Sequence, residues 1–299
     1  MCPRKLRPEE ADIDASLVRR LVDAQFPGWA GLPLTEVVSA GTSNAMYRLG
    51  EDMAVRLPRL AGSAQDVDKE HRWLPLLAGA LPFAVPTPLG KGTPGEGYPW
   101  PWSVYRWLDG ANPAPDRTPE PALLAEDLAE FISVLQRVDP TGAPASYRSE
   151  PLAERDEVTR AAIRELRAEL DGDAAAAVWE SALRAQEWAG PAVWIHADLQ
   201  PGNVLVADGR LSAVIDFGCL GLGDPAVDLI AAWYLLPAGA REVFRTGSGS
   251  DDDAWARGRG WALSVALLEL RSYRESNPVM ASIARHVIAE LLTDDTAAA

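Results

Sequence analysis

The sequence predicts an α+β fold, with a small N-terminal antiparallel sheet carrying one helix and a larger, mainly helical C-terminal part. Three observations predict it. Between Leu34 and Leu57, three short apolar runs (Leu34 to Ser39, Ala45 to Leu49 and Met53 to Leu57) alternate with the turns Ala40-Gly41-Thr42-Ser43-Asn44 and Gly50-Glu51-Asp52, as strands alternate with hairpin turns. From Thr118 onward the apolar residues recur at helical spacing. Between Val193 and Pro237, two more short apolar runs (Val193-Trp194-Ile195 and Leu211 to Ile215) are closed by Gly, Pro or Asp, as buried strands are.

Each element has a local reason. Residues 14–26 read as a helix, with Asp14 as N-cap and Leu17, Val18, Leu21 and Val22 on one face. In the run Met53 to Leu57 the period of two puts Val55 and Leu57 on one side and Arg56 on the other. Ser63 is expected to cap a helix reaching about Leu77, with Val67, Leu74 and Leu77 inward and Glu70 on the flank of that face. The Pro- and Gly-rich stretch Phe83 to Pro101 reads as loop and turn, extended at Val85-Pro86-Thr87-Pro88. Trp102 to Leu108 reads as a strand closed by Asp109-Gly110.

Thr118-Pro119 is a capped helix start, followed by Leu124, Leu128, Phe131, Ile132 and Leu135 on one face. Residues 150–189 read as two helices whose many carboxylates are solvated faces. Asp224-Pro225 opens a helix through Leu235, and Asp251 to Asp253 opens another that carries Trp255, Trp261, Leu263, Leu267 and Leu270. Asn277-Pro278 opens the last helix, and Thr293 to Ala299 is a small-residue tail expected to fray.

Two short runs carry the chemistry. They are His196-Ala197-Asp198-Leu199-Gln200-Pro201-Gly202-Asn203 and Ile215-Asp216-Phe217-Gly218, joined through a hairpin turn at Asp208-Gly209. Each residue alone has a plain reading as a turn or cap. Their joint order is that of the H-x-D-x-x-x-x-N catalytic loop and D-F-G run of the protein-kinase signature. Brought to one point, Asp198, Asn203 and Asp216 offer only oxygen donors, which suit Mg²⁺ beside substrate phosphates.

The whole stretch from Trp194 to Leu229 resembles the aminoglycoside phosphotransferase family, small-molecule kinases with a protein-kinase-like fold. The third piece of the resemblance is Gly223-Asp224-Pro225-Ala226-Val227-Asp228-Leu229. It extends over roughly residues 30–292 and implies a two-lobed fold. Residues 1–108 would form the nucleotide-binding lobe and residues 109–299 the catalytic and substrate-binding lobe.

The resemblance also implies roles. Asp198 is the catalytic carboxylate facing the acceptor hydroxyl, and Asn203 and Asp216 hold Mg²⁺ against the nucleotide. Ala54-Val55-Arg56-Leu57 stands where kinases carry V-A-I-K, so Arg56 replaces the phosphate-binding Lys, with Arg59 as a rival. Glu70 is the helix carboxylate paired with that base. Ser43 lies in the turn expected to cover the phosphates, which has one glycine where G-x-G-x-x-G would have three. Tyr105 and Trp107 lie in the connection whose main chain would hold the purine of ATP or GTP.

His196 reads as scaffold, and Asp224 and Asp228 as anchors of the loop to the following helix. Gln200 stands where serine/threonine protein kinases carry Lys. Its presence, with no A-P-E run, argues against a protein substrate.

The chain has 299 residues and a formal net charge of −15. That balance argues against a nucleic-acid partner, whose phosphates need clustered Lys and Arg, and favours a cationic ligand. Two cysteines, Cys2 and Cys219, make neither a disulfide framework nor a zinc pattern. No stretch approaches the apolar length of a membrane span, and the start has no apolar signal region, so a cytoplasmic monomer or weak dimer is expected.

The expected reaction is transfer of a γ-phosphate to a small-molecule hydroxyl, on an aminoglycoside-type antibiotic, which would confer antibiotic resistance. A macrolide acceptor (with Trp233, Trp255 and Trp261 as its pocket or as plain core), a choline- or homoserine-like metabolite, and a catalytically silent nucleotide-binding regulator are the alternatives.

Overall fold

The computed structural model describes residues 9–38, 41–114 and 120–293. It is an α+β structure that divides into two compact units, Met1–Gly110 with Ala213–Gly218, and Ala111–Ser212 with Cys219–Ala299. The expected tail after Thr293, the helix start at Thr118-Pro119 and part of the first turn (Ser39 and Ala40) lie outside the described residues.

In the first unit, helix α1 (Ala15–Gln25) is capped as expected, Asp14 Oδ1 accepting from Leu17 N at 2.7 Å. Five antiparallel strands follow: β1 (Leu34–Glu36), β2 (Asn44–Leu49), β3 (Met53–Pro58), β4 (Pro88–Gly92) and β5 (Trp102–Arg106). They lie in the order β1-β2-β3-β5-β4. Leu17, Val18, Leu21 and Val22 of α1 pack with Tyr47, Leu49, Val55, Leu57, Trp102 and Val104 in one apolar core. The period of two therefore turns Ala54, Arg56 and Tyr105 to the opposite face, where helix α2 (Ala61–Ala78) brings Glu70.

Three local expectations need correction here. Helix α2 begins at Ala61 after Leu60, without a side-chain cap, and Ser63 sits inside its first turn. The stretch Phe83 to Pro101 is not all loop, because Pro88–Gly92 forms an edge strand on β5 with a register shift between Pro88 and Gly90. An edge position tolerates Pro and Gly, which hid the strand. Gly90 lies against the Phe26 ring and Gly92 against the Trp102 indole, so a side chain at either would strike an aromatic group. Strand β5 ends at Arg106, two residues before Leu108.

The second unit is mainly helical. Helix α3 (Pro121–Leu135) buries Leu124, Leu128, Phe131, Ile132 and Leu135. Helices α4 (Asp156–Glu165) and α5 (Gly172–Arg184) are the two expected between 150 and 189. Strand β6 (Val193–Ile195) pairs antiparallel with β9 (Gly221–Gly223), and β7 (Val204–Ala207) forms a hairpin with β8 (Arg210–Val214). Asp208 and Gly209 both have φ > 0, at 50° and 76°, as a tight two-residue hairpin turn demands. Buried Asp127 of α3 anchors the hairpin, accepting from Arg210 Nε at 2.8 Å and Leu211 N at 3.0 Å.

After the motif region, Pro225–Ile230 is a 3₁₀ turn leading into α6 (Ala231–Tyr234), where one continuous helix was expected. Helix α7 (Ala238–Gly247) has no counterpart in the sequence expectations. Helix α8 (Asp252–Tyr273), capped by Asp251, is buried through its middle, from Gly260 to Leu267, and α9 (Pro278–Thr293) packs on it. Among the described residues no helix is long and apolar enough to cross a membrane.

Candidate active site

In the first unit the site is built around one guanidinium. Arg56 Nη1 donates to both oxygens of Glu70 at 2.6 and 2.8 Å, and Nη2 donates to Asp216 Oδ1 at 2.5 Å. With its carboxamide oxygen turned towards Arg56, Asn44 accepts from Nε at 3.0 Å and Nη2 at 2.8 Å. Burial opposes the charge on Arg56, but Asp216, Glu70 and Tyr105 outweigh it and hold the pKa well above the usual value. A planar fork aims separate nitrogens at three partners, whereas the Lys ammonium is a compact point charge with its donors on one atom.

Glu70 is buried and takes a second donor, Tyr105 Oη, at 2.5 Å. Burial, and then the charge of Glu70, raises the Tyr105 phenol well above its usual range, so it stays a donor. Next to Glu70 on α2, Lys69 pairs with Asp66 at 3.1 Å and its ammonium donates to the carbonyl of Gly218. Asp216 itself holds φ at 60°, a left-handed conformation that Asp tolerates better than most residues.

In the second unit, Asp198 has three side-chain donors. Oδ1 accepts from Arg148 Nη1 and Gln200 Nε2, both at 3.0 Å, and Oδ2 accepts from Asn203 Nδ2 at 2.8 Å. Asn203 Nδ2 also reaches the Asp198 carbonyl at 2.9 Å. His196 is fully buried, and its Nδ1 accepts from Asp198 N at 3.2 Å, the scaffold role expected for it.

Ala197 between them has φ of 66°, strained for a residue with a Cβ. The strain is held by buried Asp228, which accepts from His196 N at 2.8 Å and Ala197 N at 2.7 Å. Asp224 accepts from Ala226 N at 2.9 Å and pairs with Arg257 at 2.8 Å. Both aspartates are structural anchors.

The structure thus brings together Arg56, Glu70, Tyr105 and Asp216 in one unit, and Asp198 and Asn203 in the other. Arg59, the rival to Arg56, donates to the Asn44 carbonyl at 3.2 Å instead. Ser43 is exposed, and its carbonyl accepts from Arg59 N at 2.8 Å. The Tyr105 side chain turns to Glu70. Trp107 donates its main-chain N–H to Asp52 O at 2.7 Å and its indole N–H to Asp109 at 3.0 Å.

Sequence reasoning missed Arg148, whose guanidinium is buried against Asp198. Burial opposes its charge, yet Asp198 and the other anionic neighbours raise its pKa. It lies in an irregular segment, 50 positions before Asp198, with no motif to single it out. It also missed Glu269 of α8, which accepts from Tyr234 Oη at 2.7 Å. Burial, and then the charge of Asp198, pushes the Glu269 carboxyl up to about 7.

Comparison with curated protein sequences gives no match. Among solved structures, the chain is similar to the GDP complex of wild-type aminoglycoside 2'-phosphotransferase-IIIa, with a TM-score of 0.75 at 20% identity over 95% of this chain and 100% of that one. The GDP and kanamycin complex of APH(2")-IIia gives 0.74 at 21%, over 94% and 98%. Macrolide 2'-phosphotransferase MphH from Brachybacterium faecium gives 0.58 at 23%, over 93% and 98%. At these identities the likeness establishes the fold. The activity class comes from the sequence itself: residues 35–261 match the model of the phosphotransferase enzyme family, and this chain, a phosphotransferase, belongs to that family.

Proposed function

We propose that this phosphotransferase moves the γ-phosphate of ATP or GTP to a hydroxyl of a small cationic acceptor, an aminoglycoside-type antibiotic. The observation that carries the reading is Asp198, whose two carboxylate oxygens are fixed by Arg148, Gln200 and Asn203. Phosphoryl transfer asks the protein mainly for positioning and charge neutralisation. A carboxylate oriented in this way accepts the acceptor hydroxyl's proton, or aims that hydroxyl at phosphorus.

In the first unit, Arg56 is the residue proposed to hold the phosphates, with Glu70 and Tyr105 setting its fork. Ser43 is proposed in the covering turn, and the main chain around Tyr105 and Trp107 for the purine. Because the Trp107 N–H is committed to Asp52, the purine contact there falls to its carbonyl and the residues that follow.

Asp216 and Asn203 are the proposed Mg²⁺ ligands, and the donor chemistry fits. Asn203 spends its amide N–H groups on Asp198, which leaves its oxygen for a hard cation, and Asp216 offers a carboxylate. Among the described residues no group of three or more His, Cys, Asp or Glu is placed to hold a metal. Mg²⁺ needs no such cage, since it keeps waters and substrate phosphates as ligands. Bound there, it would neutralise charge on the phosphate oxygens.

One feature favours a cationic acceptor, the net charge of −15. Similar structures include enzymes whose names specify either aminoglycosides or macrolides. The tryptophans that a macrolide pocket would need are core, because Trp233 and Trp261 are fully buried and Trp255 packs on Trp233 at 4.9 Å. The proposed setting is the cytoplasm, where both nucleotides are abundant and a modified antibiotic means resistance.

A coupled assay with Mg·ATP and Mg·GTP against kanamycin, gentamicin, streptomycin and a macrolide tests the reading. Phosphate transfer to an aminoglycoside, abolished by Asp198→Asn, is the expected result. Acceleration by the macrolide alone would overturn the acceptor class. Full nucleotide turnover in Asp198→Asn would remove the role of Asp198.

A further inference from the structure

The segment Ala213–Gly218, which carries Asp216, belongs to the first unit, although the chain on either side of it belongs to the second. The described contacts that hold it there come before, at and after Asp216. Before it, Val214 N donates to Ala84 O at 3.0 Å. At it, Arg56 Nη2 donates to the carboxylate at 2.5 Å. After it, the Lys69 ammonium donates to the carbonyl of Gly218.

These ties are not equivalent. The Arg56 contact occupies an oxygen that a metal would take and a nitrogen that a phosphate would take, so it loosens when both arrive. The Lys69 contact engages a main-chain carbonyl that neither ligand needs, and it stays. It also acts on a turn that has to be held. Asp216 has φ of 60°, a conformation that persists where its surroundings impose it, and Phe217–Cys219 follows as a single 3₁₀ turn.

Lys69 is itself fixed. It pairs with Asp66, one turn earlier on α2, at 3.1 Å, and both side chains are mostly shielded from water. Its neighbour Glu70 holds the Arg56 fork at 2.6 Å, so adjacent residues of one helix reach the phosphate base and the Asp216 turn. Asp66 Oδ2 and Asp216 Oδ1 lie 3.2 and 3.3 Å from the point where a Cβ on Gly218 would stand. Two carboxylates thus face one bare glycine. An ammonium has three donors on one atom, and Lys69 offsets the charge of Asp66 while it binds the carbonyl.

We propose that Lys69 is a positioning residue for Asp216, holding the Gly218 carbonyl so that the Asp216 turn keeps its shape when Arg56 turns to phosphate. The inference rests on the assignment of Asp216 to Mg²⁺. Without the tie Asp216 is chemically intact but poorly placed, and placement is what a metal ligand supplies. The part of nucleotide affinity that depends on the ion falls, and the metal-free part stays.

Calorimetric titration with ADP and GDP, with and without Mg²⁺, tests this without an acceptor. The double variant Lys69→Met/Asp66→Asn removes the tie and keeps the net charge. It should lose about tenfold of the affinity gained with Mg²⁺, with metal-free affinity within about twofold of wild type. Amide hydrogens from Ile215 to Gly218 should exchange about tenfold faster, the sign of a locally loosened turn. Asp66→Asn alone, whose side-chain oxygen still accepts from Lys69, should stay within about threefold of wild type on every count.

Lys69→Gln/Asp66→Asn repeats the measurement if the first double variant melts early. A wild-type gain from Mg²⁺ in the double variants overturns the inference. So does a fall of equal size with and without the ion, or a loss in Asp66→Asn as large as in the double variants. Asp216→Ala run alongside separates the two levels. If the gain from Mg²⁺ survives in Asp216→Ala, the metal assignment itself fails, whereas its loss there beside intact double variants removes the positioning role alone.

Discussion

Arg148 Nη1 stands 3.0 Å from Asp198 Oδ1, a pairing across 50 positions of chain in which both side chains are largely shielded from water. The pair sets the cost of disturbing this site. Removing one member of a shielded pair leaves the other charge uncompensated, which typically costs ~3–5 kcal/mol. Arg148→Met is therefore expected to lower the unfolding free energy by about 3 kcal/mol and to depress kcat by at least tenfold. Urea denaturation and a steady-state assay check both. A variant with native stability would mean that water already screens the pair.

The Arg56 fork gives a second prediction, on nucleotide binding. Arg56→Lys keeps the charge but gives up the simultaneous contacts to Glu70, Asp216 and Asn44. The KM for Mg·ATP or Mg·GTP should rise about tenfold, with a smaller fall in kcat. Glu70→Gln should behave alike, since it weakens the same fork. If Lys at this position binds nucleotide as well as Arg, the three-way contact is dispensable.

Metal dependence follows from Asp216. Asp216→Ala should abolish the Mg²⁺-dependent part of nucleotide affinity and leave the metal-free part within about twofold. Calorimetric titration with and without Mg²⁺ separates the two. Unchanged affinity in the presence of the ion would remove Asp216 from the proposed ligand set.

Glu269 gives stability a pH dependence. Its folded carboxyl titrates at about 7, against 4.5 for the ordinary group. The folded chain thus keeps a proton there that the unfolded chain has released. The stabilising contribution is fully present below about 4.5 and is lost as pH rises through about 7. Between pH 5 and 8 the unfolding free energy of the wild type should fall by an extra amount on the order of 2 kcal/mol relative to Glu269→Gln. Parallel stability curves for the two proteins would place the titration elsewhere.

Asp228 controls the strained turn at Ala197. In Asp228→Asn one carboxylate oxygen becomes an NH₂ facing a backbone N–H, where His196 N and Ala197 N now find acceptors at 2.8 and 2.7 Å. The loss should be about 2–3 kcal/mol, and the rate should fall with it because the loop before Asp198 relaxes. Glycine at 197 should tolerate the left-handed φ without that penalty. A loop that keeps its rate in Asp228→Asn would show that the turn is held by something else.

Much of this was legible in the sequence, and the reasons are local. The two motif runs name Asp198, Asn203 and Asp216 by spacing, and the alternation in β3 turns Arg56 away from the apolar core, to the side where Glu70 meets it. Asp14, Asp224 and Asp251 cap their helices because short polar side chains before an apolar run do that.

What the sequence hid was tertiary. Arg148 and Glu269 reach the site through folding alone, from an irregular segment and from a helix whose pattern speaks only of packing. Strand β4 was obscured because Pro88, Gly90 and Gly92 break propensity, yet an edge strand beside Trp102 accepts them. Helix α7 was missed because Ala238, Gly239 and Ala240 give no clear start.

Strand β9 imposes a different kind of constraint. It pairs with β6 on one side and meets Ala145 through a bridge at Leu222 on the other, and a Cβ on Gly221 would stand 2.4 Å from the backbone nitrogen of Ser146. Backbone cannot move aside as the tip of a side chain can, so position 221 has no neutral alternatives. In a saturation library selected for folding it should return glycine alone, while the neighbouring loop positions drift. That makes it a sensitive marker for sorting true folded variants from chains that merely spell the motif.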